Sequence, residues 1–215
     1  MFSLSPQSLI SAIITLVVAL TFHEFAHAWM AKRFGDDTAE RAGRLTLNPL
    51  VHLDPIGSLM LVFVGFGWAK PVPINPYTIR RSGKVAMLLV SLSGPIANLL
   101  LAILAAIPLR LNLFPPQFIS TNILPTPATF LYFFLYTNLG LMIFNLIPVP
   151  PLDGHEILSF LLPPDLAEKW EQIGYQYGML ILIFLLMVAP MLGFNLVRQV
   201  LQPAILFLSN LLVGM

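Results

Sequence analysis

Residues 23–27 read His23-Glu24-Phe25-Ala26-His27. On a helix, residues i and i+4 share a face, so the two imidazoles can bind one ion. Glu24 follows the first histidine and is placed to act as general base toward a water polarised by that ion. With four His and five Glu in the chain, chance supplies roughly 0.002 such motifs. The motif also sits inside an apolar run, where ionisable residues are costly and mark function. It points to a metal, with zinc as the ion and hydrolysis as the chemistry.

A catalytic zinc takes three protein ligands and keeps one position open for water. The chain has no cysteine, so the third ligand is a His, Asp or Glu. His52 and Asp54 lie in a polar stretch after the first apolar run. Asp153, His155 and Glu156 lie in Asn145-Leu146-Ile147-Pro148-Val149-Pro150-Pro151-Leu152-Asp153-Gly154-His155-Glu156. His23 stands nine residues before Lys32, about 13 Å along a straight helix. The third ligand must therefore reach back below the membrane surface. Asp153 follows a proline-broken segment, and irregular backbone is tolerated at depth where it lines a cavity. Gly154 allows a sharp turn beside it. Asp153 is the first choice, with His155 and Glu156 as rival ligands. The competing structural role for Asp153 is to cap a helix that begins near His155.

The elements that must hold these groups are membrane spans. The 215 residues are 57% hydrophobic and 10% charged, against roughly 45–50% and about 25% in soluble domains; mean hydropathy is +0.84. That excludes an ordinary soluble enzyme, a disordered chain and a coiled coil. A net charge of +1 points to no nucleic-acid partner. Apolar runs predict spans at about 8–31, 85–109 and 129–147, then 174–193. Residues 196–215 form a fifth apolar run that either spans or lies on the surface. Gly94-Pro95 interrupts the second span, and 163–171 reads as a polar loop. No Lys or Arg precedes Lys32, so the first run lacks the basic flank of a signal peptide. Eight of the eleven basic residues fall between Lys32 and Lys84. The positive-inside rule places residues 32–84 in the cytoplasm of a multi-pass cell-membrane protein. Residues 44–76 read as a small β or re-entrant segment. Residues 44–47 alternate like a strand, 56–67 are apolar but too short to span, and 70–76 are held extended by three prolines.

Together these motifs resemble the site-2 protease family of intramembrane zinc metalloproteases. The resemblance is carried by His23-Glu24-Phe25-Ala26-His27 in a span and by Asn145, Pro148 and Asp153-Gly154 near the end of a later one. Ser93-Gly94-Pro95-Ile96-Ala97-Asn98, Asn48-Pro49 and Gly67-Trp68-Ala69-Lys70-Pro71-Val72-Pro73 support it. It covers residues 10–165. It implies an all-α polytopic membrane protein whose residues 1–165 form a three-helix catalytic core, with residues 166–215 adding one or two membrane helices. It implies one zinc per chain on His23, His27 and Asp153, with Glu24 as catalytic base. Asn145 matches a position linked to substrate or oxyanion. The implied substrates are transmembrane or membrane-associated proteins. The sequence shows no helix before the HExxH helix, no PDZ insert and no nucleotide-binding domain, so gating known for larger forms is not carried over.

Asn98 falls among small residues at helical spacing. Close helix packing is its first reading, and orienting a zinc ligand from the neighbouring helix is the second. The aromatic run Phe130, Tyr132, Phe133, Phe134 and Tyr136 reads as lipid-facing or interfacial, not as a substrate groove. Segments 44–47 and 70–76 serve either to pair with an unwound substrate or to cover the site. The alternative function is a zinc-binding membrane protein without protease activity, either a metal transporter or an inactive scaffold that captures membrane segments. Glu24 discriminates, because a transport site has no need for a base that is not a ligand. The sequence leaves substrate identity and oligomeric state open.

Overall fold

The computed structural model describes residues 5–57, 69–114 and 123–214. Long helices dominate. α1 (Pro6–Arg33) begins at Ser5, whose side chain accepts the Ser8 amide, with Pro6 in its first turn. It ends at Lys32 and Arg33, whose charges suit a helix C-terminus. A short turn, α2 (Thr38–Arg41), follows. After an extended stretch come α3 (Pro76–Arg81) and α4 (Lys84–Arg110). α5 (Pro127–Asn145) starts from a Thr126 cap. α6 (Asp153–Leu161), α7 (Pro164–Ile183) and α8 (Gln202–Val213) complete the chain. Among the described residues, four helical stretches are long and apolar enough to cross a membrane: Pro6–Arg33, Lys84–Arg110, Pro127–Asn145 and Pro164–Leu192. The chain is an all-α polytopic membrane protein.

α4 is the central element, packed against both α1 and α5. Ala102, Ala105 and Ala106 present a nearly flat face on which Leu135, Leu139 and Met142 of α5 settle, with Val213 of α8 beside them. Small residues let the backbones approach where lipid offers no hydrophobic drive between helices. Toward the other end, Ala86, Met87 and Val90 of α4 enclose Ala31 of α1 and Ile79 of α3.

Several local expectations are corrected. Gly94-Pro95 does not interrupt the second span; α4 runs through both Pro95 and Pro108. Residues 163–171 are not a loop. Pro163 precedes α7, and Pro164 with Asp165 makes a favourable first helical turn, so the polar residues become the start of that helix. The last apolar run packs on the core: Ile205 lies against Gly140, and Arg110 Nη1 donates to the carbonyls of Leu211 and Leu212. Of the aromatic run, Tyr132 and Phe134 are partly buried and pack against the α4–α5 core. Residues 44–47 form no strand; 45–47 are bends, and the buried Arg44 side chain turns inward to the Lys70 carbonyl. Among the described residues the β content is one antiparallel bridge, Leu53 with Ala69. The expected re-entrant segment 56–67 falls largely on 58–68, outside the described residues.

Residues 70–75 are extended as expected, but Pro76 opens α3 instead of prolonging them. This strap is tied by its backbone. Lys70 N–H donates to His52 O (2.8 Å), Val72 N–H to Glu24 Oε2 (2.8 Å) and Asn75 N–H to Asp36 Oδ2 (2.6 Å). Asp36 is 2% exposed and also accepts from the Thr38 amide and hydroxyl. Burial alone would raise its pKa, but these donors, with Arg41, hold the carboxyl below its ordinary value. A depressed native pKa gives stability that is complete at neutral pH and is lost as pH falls through the native value. Asp36→Asn replaces one acceptor oxygen with a donor facing another donor. It should cost about 1–3 kcal/mol at neutral pH. Thermal unfolding in detergent should show the gap to wild type closing below the ordinary carboxylate range; a gap independent of pH would contradict this.

Candidate metal centre

Three ligand atoms, one each from His23, His27 and Asp153, lie within 4.8 Å of one another. His23 and His27 come from adjacent turns of α1, with Nε2 atoms 3.1 Å apart. Asp153 closes the group, placing Oδ2 3.3 Å from His23 Nε2 and Oδ1 3.3 Å from His27 Nε2. It reaches this depth because α6 begins at Asp153 directly against the end of α5. A Cβ on Gly154 would strike the Leu146 and Ile147 carbonyls, so glycine permits the approach.

The protons of the two imidazoles can be assigned from their partners. His27 Nδ1 is 2.8 Å from the Val90 carbonyl, which only accepts, so Nδ1 carries the hydrogen. His23 Nδ1 is 2.7 Å from Asn98 Oδ1. Asn98 faces this way because its Nδ2 donates to Ala19 O (3.2 Å) and Asn138 Oδ1 (3.1 Å). With both Nδ1 positions protonated, each neutral ring turns a bare lone pair toward the other and toward a carboxylate. Among the described residues, Asp153 Oδ2 is buried with no hydrogen-bond donor. Buried acceptors facing one another without a proton are mutually repulsive, and a cation among them removes that conflict. The donor set of two imidazoles and one carboxylate fits zinc with a position left open.

Glu24 is 9% exposed and its Oε2 accepts the Val72 amide. In the strap, Pro71 and Pro73 carry no N–H, so Val72 supplies the one donor between Lys70 and Ile74. Gly94 lies directly over the imidazoles: a Cβ there would collide with His27 Nε2 and with Cε1 and Nε2 of His23. The small residues of the 93–98 segment allow close packing, and Asn98 bonds a metal-motif histidine.

The other candidates stand elsewhere. His155 stacks on Trp170 (ring centroids 5.4 Å apart), whose indole N–H donates to the His155 carbonyl. Two residues along a helix turn through about 200°, which carries His155 away from the face of Asp153. Glu156 faces Arg80 at 3.7 Å, and burial pushes its carboxyl above the ordinary value against the pull of Arg80. Asp54 accepts the Gly57 amide, and buried His52 bonds the Thr46 carbonyl. Asn145 donates from Nδ2 to Leu141 O within α5. Sequence reasoning missed Asn138, Val72 and Asp36. Asn138 had a visible signal, since it is an amide within an apolar span; the contacts of Val72 and Asp36 are tertiary and had none.

Gly94→Ala should abolish stoichiometric zinc binding while the helices still form, because the added methyl occupies the space of the ligand nitrogens. Zinc analysis beside circular dichroism checks this; a variant that keeps its zinc would contradict the geometry.

Comparison with known proteins shows the family of the chain. The Peptidase family M50 profile matches residues 120–185. YwhC of Bacillus subtilis, provisionally named a zinc metalloprotease, is 41% identical over 177 residues, covering 80% of this chain and 78% of its own length. Rip2 of Mycolicibacterium smegmatis, named in the same way, is 34% identical over 196 residues, covering 86% and 71%. Rip2 of Mycobacterium tuberculosis is 34% identical over 183 residues, covering 82% and 66%. No solved structure matches. The chain belongs to peptidase family M50, the zinc metalloproteases of the site-2 protease family.

Proposed function

We propose that the protein is an intramembrane endopeptidase that cuts peptide bonds in or near the transmembrane segments of other membrane proteins. The observation that carries this reading is the convergence of His23, His27 and Asp153 beside Glu24, at the depth of a membrane-spanning helix. His23 precedes the end of α1 by ten residues, about 15 Å along the axis. A peptide bond must come to that depth to react. Residues 1–165 would form the catalytic core and 166–215 its C-terminal helices. Residues 32–84 would face the cytoplasm, with the chain in the cell membrane.

His23 Nε2, His27 Nε2 and a carboxylate oxygen of Asp153 would hold zinc. When bound, zinc supplies Lewis-acid polarisation and makes water nucleophilic near neutral pH. Glu24 takes the proton of the attacking water and returns it to the leaving nitrogen. The Val72 amide on Oε2 leaves Oε1 as the atom that exchanges the proton. Asn98 and the Val90 carbonyl hold the two rings in the tautomer that leaves each Nε2 free to ligate. Asn145 enters as an oxyanion or substrate contact through the family resemblance alone.

The strap at 70–75 serves better as a cover than as a template for an unwound substrate. A pairing strand must alternate donors and acceptors along its edge. Pro71 and Pro73 offer no donor, and the Val72 donor is engaged by Glu24.

Glu24→Gln keeps the ligands and removes the base. It should retain about one zinc per chain and lose more than 100-fold of the cleavage rate. A co-expressed library of single-span reporter proteins, read by mass spectrometry, gives the cleavage measurement. Cleavage that persists in Glu24→Gln would favour the non-proteolytic, metal-binding reading, with another enzyme doing the cutting.

A further inference from the structure

We infer that Asn138 is a positioning residue for the metal centre, acting through Asn98 to fix the tautomer of His23. The inference rests on the reading of His23 as a zinc ligand and extends it to a residue on a third helix.

The network runs in one direction. Asn138 Nδ2 donates to the Phe134 carbonyl, one turn back on α5 (2.9 Å). A backbone carbonyl only accepts, so Asn138 must turn its oxygen the other way. That oxygen accepts from Asn98 Nδ2 at 3.1 Å. Asn98 Nδ2 meets a second pure acceptor, Ala19 O on α1. Asn98 must therefore present Oδ1 to His23 Nδ1. Asn98 and Asn138 are both 0% exposed, so no water competes for these bonds. The network crosses all three core helices, from Phe134 on α5 through Asn98 on α4 to His23 on α1.

Asn98 is the link next to His23, and its amide can be reversed without moving the backbone. A flipped amide would direct its NH2 at His23 Nδ1. That nitrogen would then have to accept, and the proton would sit on Nε2, where it blocks ligation. Flipping would also set Oδ1 against two acceptor oxygens. Asn138 supplies one of those oxygens and Ala19 the other. Removing Asn138 leaves Asn98 held by a single acceptor and lets the non-ligating tautomer of His23 gain population.

The test is zinc affinity, measured by competition with a chromophoric chelator on the full chain in detergent. Asn138→Leu, of similar volume but with no polar atom, should bind zinc about 10- to 100-fold more weakly than wild type. Asn138→Asp should stay near wild type, because a carboxyl buried in an apolar span stays protonated and can make both bonds. The discriminating arm is a double-mutant cycle. In Asn98→Ala no amide remains to be oriented, so the link from Asn138 to His23 is already cut. Asn138→Leu should then cost little on that background. Equal losses on both backgrounds would overturn the inference and leave Asn138 as a packing residue; wild-type affinity in Asn138→Leu would overturn it outright. If Asn138→Leu does not fold, Asn138→Ala replaces it, and equal loss in Asn138→Ala and Asn138→Asp overturns the inference. His23→Ala is measured alongside. If it binds zinc like wild type, the ligand reading itself fails, a result distinct from any of the above.

Discussion

Two imidazole nitrogens and a carboxylate oxygen converge within 4.8 Å of one another inside an apolar helical bundle. A cation among them offsets the buried negative charge and the facing lone pairs. Much of the surrounding structure serves to hold these three groups at that separation. The two histidines share one face of α1 because they are four residues apart. The aspartate arrives from the other side only because the chain breaks at its prolines after α5, and Gly154 lets α6 start against that helix end.

α4 contributes no ligand, yet it sets the site. Gly94 leaves room for both rings, the Val90 carbonyl fixes one of them, and the Asn98 amide fixes the other. The same helix presents alanines to α5 further along, so close approach and polar orientation come from one element. The strap makes the other boundary of the site. Its prolines remove donors, and its one amide at Val72 goes to Glu24. A base beside a metal gains from being held by one oxygen, because the other then keeps a defined direction.

The chemistry was legible in the sequence because it is local. His23, Glu24 and His27 lie within two helical turns, and ionisable groups in a span have few structural uses. Asp153 was legible by depth and by its proline-glycine setting, with His155 and Glu156 as rivals; rotation about α6 carries His155 away, and Glu156 faces Arg80. The spans were legible from hydropathy, although 163–171 was misread because polar residues can begin a helix as well as form a loop. The strand expected at 44–47 failed because alternation over four residues cannot distinguish pairing from an Arg44 side chain turning inward. Asn98 had two readings because spacing does not show what lies on the next helix. Asn138 was passed over because its role depends on two side-chain contacts in series. The strap's ties to Glu24 and Asp36 join residues 48 and 39 positions apart, beyond what any local pattern carries.

The most direct test of the central claim is X-ray absorption at the zinc edge, on the purified wild-type protein and on Asp153→Ala. The account predicts about one zinc per chain, bound by two imidazoles and oxygen ligands at about 2.0–2.2 Å with no sulfur. Asp153→Ala should lose the metal or most of its affinity. An unchanged zinc site in Asp153→Ala, or a third imidazole in the wild-type shell, would contradict the assignment.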